Sequence, residues 1–155
     1  MGMGTAVHRR VWVDFEARVL RRLDGLGRRR VAHLATGAAG EREALFYLRR
    51  MGYVVVARRW RSPKLWGDVD LIGWDGEWLC FVEVKTRTGR DAMEPAESAV
   101  DEDKRRMLRK MARAYMRRFP KGLRDEVPVR FDVMSVYLQP SGDEFDLYRG
   151  AFGWR

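Results

Sequence analysis

Apolar positions along this chain repeat with two periods, and each change of period marks a new element. Ala44, Leu45, Leu48 and Met51 recur at helical spacing, which predicts a helix over residues 40–51, stopped by Gly52. Residues 53–61 (YVVVARRWR) have strand composition, and Ser62-Pro63-Lys64 breaks the run with a turn. Apolar runs resume on either side of Asp75-Gly76, a dipeptide that favours a two-residue hairpin turn. After a loop over residues 88–100, Asp101 is placed to cap a helix reaching Phe119. Its buried stripe is Lys104, Met107, Leu108, Met111, Ala112, Tyr115 and Phe119. Residues 120–128 read as a connector and residues 129–138 as a strand with Asp132 in its interior. Residues 144–154 read as a short strand or irregular tail. Helix, strand, hairpin, helix and strand, in that order, predict an α/β fold with a mixed sheet and helices packed on it. Upstream, Val11, Phe15, Val19, Leu23 and Leu26 would line an amphipathic helix in a basic extension, residues 1–38; the main domain takes residues 39–155.

The polar positions of the hairpin break the apolar pattern. Asp68 and Asp70 lie on its first strand, Glu83 and Lys85 on its second. Charge in a buried strand is costly unless it is paired, neutralised or bound to a metal. With Asp75-Gly76 as the turn, Asp70 would pair with Phe81 and Asp68 with Glu83. All four charged groups would then project from one face. Val69, Leu71, Cys80, Val82 and Val84 would form the core face, and a three-residue loop would reverse this parity. Glu41 falls on the apolar stripe of the first helix, where it either faces the sheet or simply suits the positive helix end.

Composition narrows the class. The 155 residues are 46% hydrophobic and 34% charged, with no apolar run long enough to span a membrane and no apolar leader core. One cysteine, Cys80, excludes an internal disulfide framework and suits a reducing cytoplasm; His8 and His33, far apart, give zinc little support. Thirty-one Lys and Arg against 22 Asp and Glu leave +9, the electrostatic footprint of a nucleic-acid binder. Arg87 and the helical Arg105, Arg106, Arg109, Lys110 and Arg113 are the candidate phosphate contacts, although a charge run is also the ordinary solvated face of a helix.

Two carboxylates beside a lysine suit phosphodiester hydrolysis. Asp70 and Glu83, with the Val84 carbonyl, could hold Mg²⁺ or Mn²⁺, while Lys85 orients or deprotonates water or neutralises charge on phosphorus. The runs GEREALFYLRRMGY, WRSPKLWGDVDLI, FVEVKTR, PAESAVDEDKRRM and RFDV, with the closing GAF, resemble the bacterial YraN family over residues 40–153. That family is similar to archaeal Holliday-junction resolvases within the restriction-endonuclease-like PD-(D/E)XK superfamily. The resemblance implies a restriction-endonuclease-like mixed sheet with flanking helices. It implies Asp70 as the metal-binding aspartate, Glu83 as the second acid, Lys85 as the catalytic lysine and Glu41 as the acid of the first helix. Asp68 and Lys104 take supporting places, and Val69 stands where the superfamily's name puts Pro. Three functions fit: a metal-dependent nuclease acting on branched or repair DNA, a non-catalytic nucleic-acid-binding protein, or an adaptor for an acidic protein. A resolvase-like substrate would make a homodimer attractive.

Overall fold

The computed structural model describes residues 32–88 and 100–155. Helix α1 (Ala32–Met51) leads into β1 (Val54–Trp60) and the hairpin of β2 (Val69–Asp75) and β3 (Trp78–Arg87). Then come α2 (Glu102–Met116), one turn of α3 (Lys121–Arg124), β4 (Val129–Tyr137) and β5 (Glu144–Phe152). The strands form one sheet in the order β1-β2-β3-β4-β5, antiparallel except where β3 runs parallel to β4. Parallel neighbours need a crossover, and α2 lies on it. The fold is therefore α/β, a five-stranded mixed sheet with flanking helices, as the order of elements predicts.

Both faces of this sheet are covered. Leu71, Cys80, Val82, Val84, Met134 and Val136 pack with Ala44, Leu45 and Leu48 of α1. Ile72, Leu79, Phe81, Phe131 and Val133 pack with Leu108, Met111, Ala112 and Tyr115 of α2. Each such Val, Leu, Ile, Phe or Met side chain, fully buried, contributes on the order of 1.5–3 kcal/mol, so the two layers hold the sheet between them. The face expected to carry the acids is thus apolar for most of its length, and only its end is polar.

Local differences from the sequence reading have physical causes. The hairpin turn is Gly76-Glu77, because Asp75 pairs with Trp78. Gly76 has φ +60°, the conformation demanded at the first central position of a II′ turn, where glycine fits best. The register is shifted by two residues from the expected one. A two-residue shift preserves the alternation of faces along the paired part of the hairpin. Val69, expected on the face of Leu71, packs instead with Ile72 on the α2 side, where its partner Trp60 meets Tyr115. Helix α1 begins at Ala32, runs unbroken through position 40 and crosses the boundary drawn at residue 38. Gly40 is an interior contact: a Cβ there would meet the Thr86 Oγ1 at 1.8 Å. Met51, counted in the buried stripe, is exposed, whereas Glu43 and Phe46 are buried. Helix α2 ends at Met116, capped at its start by the Asp101 carboxylate, which accepts the Lys104 N–H at 2.8 Å. The helix expected over residues 11–26 and most of the loop before Val100 lie outside the described residues.

Candidate active site

The ladder between β2 and β3 ends at Leu71–Val82, while β3 continues to Arg87 beside β4. Asp70 and Glu83 are the next residues on the two strands, just beyond the last pair of the ladder. There the Asp70 side chain replaces the missing strand: its Oδ2 accepts the Val84 N–H at 2.7 Å. A strand residue's N–H and C=O point to the same edge, so the Val84 carbonyl also faces the Asp70 side. Three oxygen-bearing groups named from the sequence are thereby gathered where the hairpin opens.

Glu83 is buried, with 4% of its surface exposed. The Lys85 Nζ lies 3.2 Å from its Oε1 and the Lys104 Nζ 3.0 Å from its Oε2. That ammonium is the partner of an oxygen otherwise closed off from solvent. Lys104 reaches the acid because it sits in the first turn of α2, on the side packed against the sheet. Burial lowers the Lys104 pKa, but the Glu83 charge and hydrogen bonding, with Asp70 and Asp68 behind, reverse this and leave it raised. Asp70 moves the other way from an ordinary carboxylate. Burial, then the Glu83 charge, pushes its pKa up to about 7, against the downward pull of the Val84 N–H and Lys104. A cation between the two acids would relieve that repulsion.

Glu41 arrives from α1, carried to this end of the sheet by the close approach of Gly40 to Thr86. Its charge is felt at Asp70, yet its carboxylate is ion-paired with Arg59 of β1. Arg59 is a residue the sequence reading missed. It falls between Arg58, paired with Leu71, and Trp60, paired with Val69, and so flanks Asp70 from the far side of β2. It also has φ +44°, a left-handed backbone uncommon for a side-chain-bearing residue. Nothing in the run RRWR distinguishes it from its neighbours. Asp68 is half-buried and 3.4 Å from the Arg61 guanidinium, at the rim.

Among the described residues, no three His, Cys, Asp or Glu side chains converge as a ready metal cage. Asp70 and Glu83 supply two carboxylates, the number Mg²⁺ commonly takes from a protein while keeping several waters. The enclosed Glu83 Oε2 and the mutual repulsion of the pair fit a small divalent cation.

The basic helix divides into two groups. Arg109 is buried and donates to the backbone oxygens of Gly153 and Arg155 and to Glu102, so it holds the chain beside β5 rather than facing outward. Arg105 donates to the Val100 carbonyl and lies over the Phe152 ring. Arg106, Lys110 and Arg113 are exposed. Arg87 lies at the end of β3, opposite Tyr137. Helical spacing explains the division: the stripe that meets the sheet is wide enough to take in position 109.

No described helix is long and apolar enough to cross a membrane. The sequence model of "Uncharacterised protein family UPF0102" matches residues 40–136, a span that includes Glu41, Asp70, Glu83, Lys85 and Lys104. A UPF0102 protein of Koribacter versatilis is 47% identical over 120 residues, 77% of this chain and 80% of its own. Another from Solibacter usitatus is 48% identical over 132 residues, 85% of this chain and 96% of its own. A third, from Rhodococcus opacus, is 44% identical over 109 residues, 70% and 87% of the two chains.

Proposed function

Because the chain belongs to the UPF0102 family, the YraN family its motifs resemble, and carries buried acids beside lysines at an open strand end, we propose that it is a metal-dependent nuclease of restriction-endonuclease-like fold. Its substrate is DNA. The observation that carries this reading is Glu83: buried, held by the two ammonium groups of Lys85 and Lys104, and crowded by the charge of a second buried acid, Asp70. Two carboxylates crowded in one buried place have a use for a cation between them.

Asp70, Glu83 and the Val84 carbonyl would hold Mg²⁺ or Mn²⁺, with Glu41 as a further acid once it leaves Arg59. When bound, the cation supplies Lewis acidity at the scissile phosphate. Lys85, half-buried beside Glu83, holds the attacking water in line and takes its proton or offsets charge gathering on phosphorus. Lys104 balances Glu83 from the α2 side and supports its orientation. Asp68 positions Arg61 at the rim.

Two ammonium groups already balance Glu83, which favours the second reading, a nucleic-acid-binding protein without turnover. A cleavage assay separates the two. Purified protein meets labelled single-stranded, duplex, flap and four-way-junction DNA with Mg²⁺, Mn²⁺ or EDTA, beside Lys85→Ala. Metal-dependent cutting that the variant loses is the expected result. Binding without cutting on every substrate would hand the case to the second reading.

A further inference from the structure

Trp66 is 96% exposed, more than any other large hydrophobic side chain among the described residues. It is not on a slack loop. Leu65, just before it, is packed against the α2-side core, and Gly67, just after it, is pressed on Met107. A Cβ on Gly67 would come within 2.8 Å of the Met107 sulfur, and its φ of +102° also disfavours a side chain. The Lys64 N–H leans on the Ser62 hydroxyl at 3.4 Å and the Leu65 N–H donates to the Ser62 carbonyl at 3.3 Å. The backbone is thus pinned on both sides of an indole that faces water.

What surrounds the indole is cationic. Trp66 borders a cleft of about 330 Å³ lined by Lys64, Arg106, Met107 and Lys110, with Asp103 the one acid. Arg106 makes only exposed pairs there, 3.6 Å to Asp103 and 3.9 Å to Glu102, which a competing phosphate can displace at little cost. Lys64 and Lys110 also line the next cleft along α2, where Arg113 and Arg117 follow. A flat aromatic face at the head of a row of cations matches a strand whose bases are unstacked and whose phosphates run alongside. In a continuous duplex no base face is available to an indole on the outside.

We propose that Trp66 stacks on an unpaired base and that the cations of α2 track the phosphates of the same single strand. This rests on the nuclease reading for its use and deepens it, by making DNA with a single-stranded segment the substrate. Trp66 precedes Asp70 by four residues, so their Cα atoms lie within roughly 14 Å of one another at full extension. The stacked base and the scissile phosphate therefore belong to the same short stretch of strand.

The test is binding measured in EDTA, so that no hydrolysis enters. Wild type, Trp66→Ala and Trp66→Phe are titrated with a labelled oligothymidylate and with a hairpin duplex at one fixed salt concentration. Loss of stacking weakens single-strand binding about tenfold in Trp66→Ala, leaves duplex binding within about twofold, and is largely restored by Trp66→Phe. Equal affinity of Trp66→Ala and wild type for the single strand overturns the proposal, as does an equal loss on both DNAs. A changed sedimentation behaviour in Trp66→Ala with unchanged single-strand binding also overturns it, in favour of self-association through this face. Cleavage is scored separately with Mg²⁺. Trp66-dependent binding without cutting leaves stacking in place and removes the nuclease; cutting without Trp66-dependent binding does the reverse.

Discussion

Two buried acids stand one residue apart in level on neighbouring strands, Glu83 on β3 and Asp132 on β4, and the sheet separates them. Register pairs Glu83 with Val133 and Asp132 with Val82, so the two side chains leave by opposite faces. Asp132 is fully satisfied. It accepts from the Arg130 Nε at 2.8 Å, an Arg130 terminal nitrogen at 3.0 Å, the Tyr53 hydroxyl at 3.3 Å and the Gly150 N–H at 2.9 Å. The last bond exists because β5 bulges between the partners of Phe131 and Val133. Arg130 goes on to Asp75, and Arg149 closes the group through Tyr53 and Asp75. Glu83, by contrast, has one lysine at each oxygen, with compact ammonium groups on flexible stems. An arginine network saturates an acid and fixes it in place. Lysines balance one and leave it able to change partners.

The widest separation is expected from truncating each network. Asp132→Ala leaves Arg130 and Tyr53 without their shared acceptor and should lower stability by about 3–5 kcal/mol in urea denaturation. Lys85→Ala should leave the denaturation midpoint nearly in place and cut hydrolysis about 10²- to 10⁴-fold. A Lys85→Ala protein that unfolds as readily as Asp132→Ala would erase the distinction.

Divalent cations sharpen the contrast next. At pH 8, Mg²⁺ at 100 times its Kd should stabilise wild type by about 2.7 kcal/mol, and Asp132→Asn by the same increment. Asp70→Asn and Glu83→Gln should show no such increment by calorimetry.

The acid pair itself has a pH signature of opposite sign to a salt-bridged carboxylate. Folded Asp70 titrates at about 7, against an ordinary value of 3.8. Between those values the folded chain keeps a proton that the unfolded chain has released, so this group's contribution to stability falls as pH rises and the fall is complete above about 7. Asp70→Asn should therefore match wild type near pH 4 and exceed it at pH 8, by on the order of 4 kcal/mol. A variant no more stable than wild type at pH 8 would contradict the crowding of the two acids.

The smallest effect concerns the basic helix. Arg106→Ala should reduce the slope of log affinity against log salt by about 1 and leave stability alone. Arg109→Ala should lower stability, because its three partners are in its own chain.

The acids, Lys85 and the N-cap at Asp101 were legible because each breaks a local pattern: charge within an apolar run, or a short acid ahead of a helical stripe. The nearness of Asp70 to Glu83 outlasted a wrong turn, because an even shift keeps the faces of the paired residues and the Glu83 charge still reaches Asp70. The roles of Arg59, Arg109 and Asp132 were not legible. Arg59 depends on which strand lies beside β2, Arg109 on how β5 passes α2, and Asp132 on a bulge. These are facts of tertiary assembly, and an arginine on paper looks the same whether it meets water or a carbonyl. The unequal division of the basic helix has the same origin.

The parallel pairing of β3 with β4 also orders events in a newly made chain. The hairpin that carries Asp70 and Glu83 closes through contacts near in sequence, whereas Leu79 must wait for Val129. Lys104 is emitted between them, on a helix that has no complete floor until β4 docks. A nascent chain halted before that point displays two like charges with no ammonium held between strand and helix. On the nuclease proposal, the site and the finished fold would then be completed together, because the Lys104 partner of Glu83 arrives only with the docked helix.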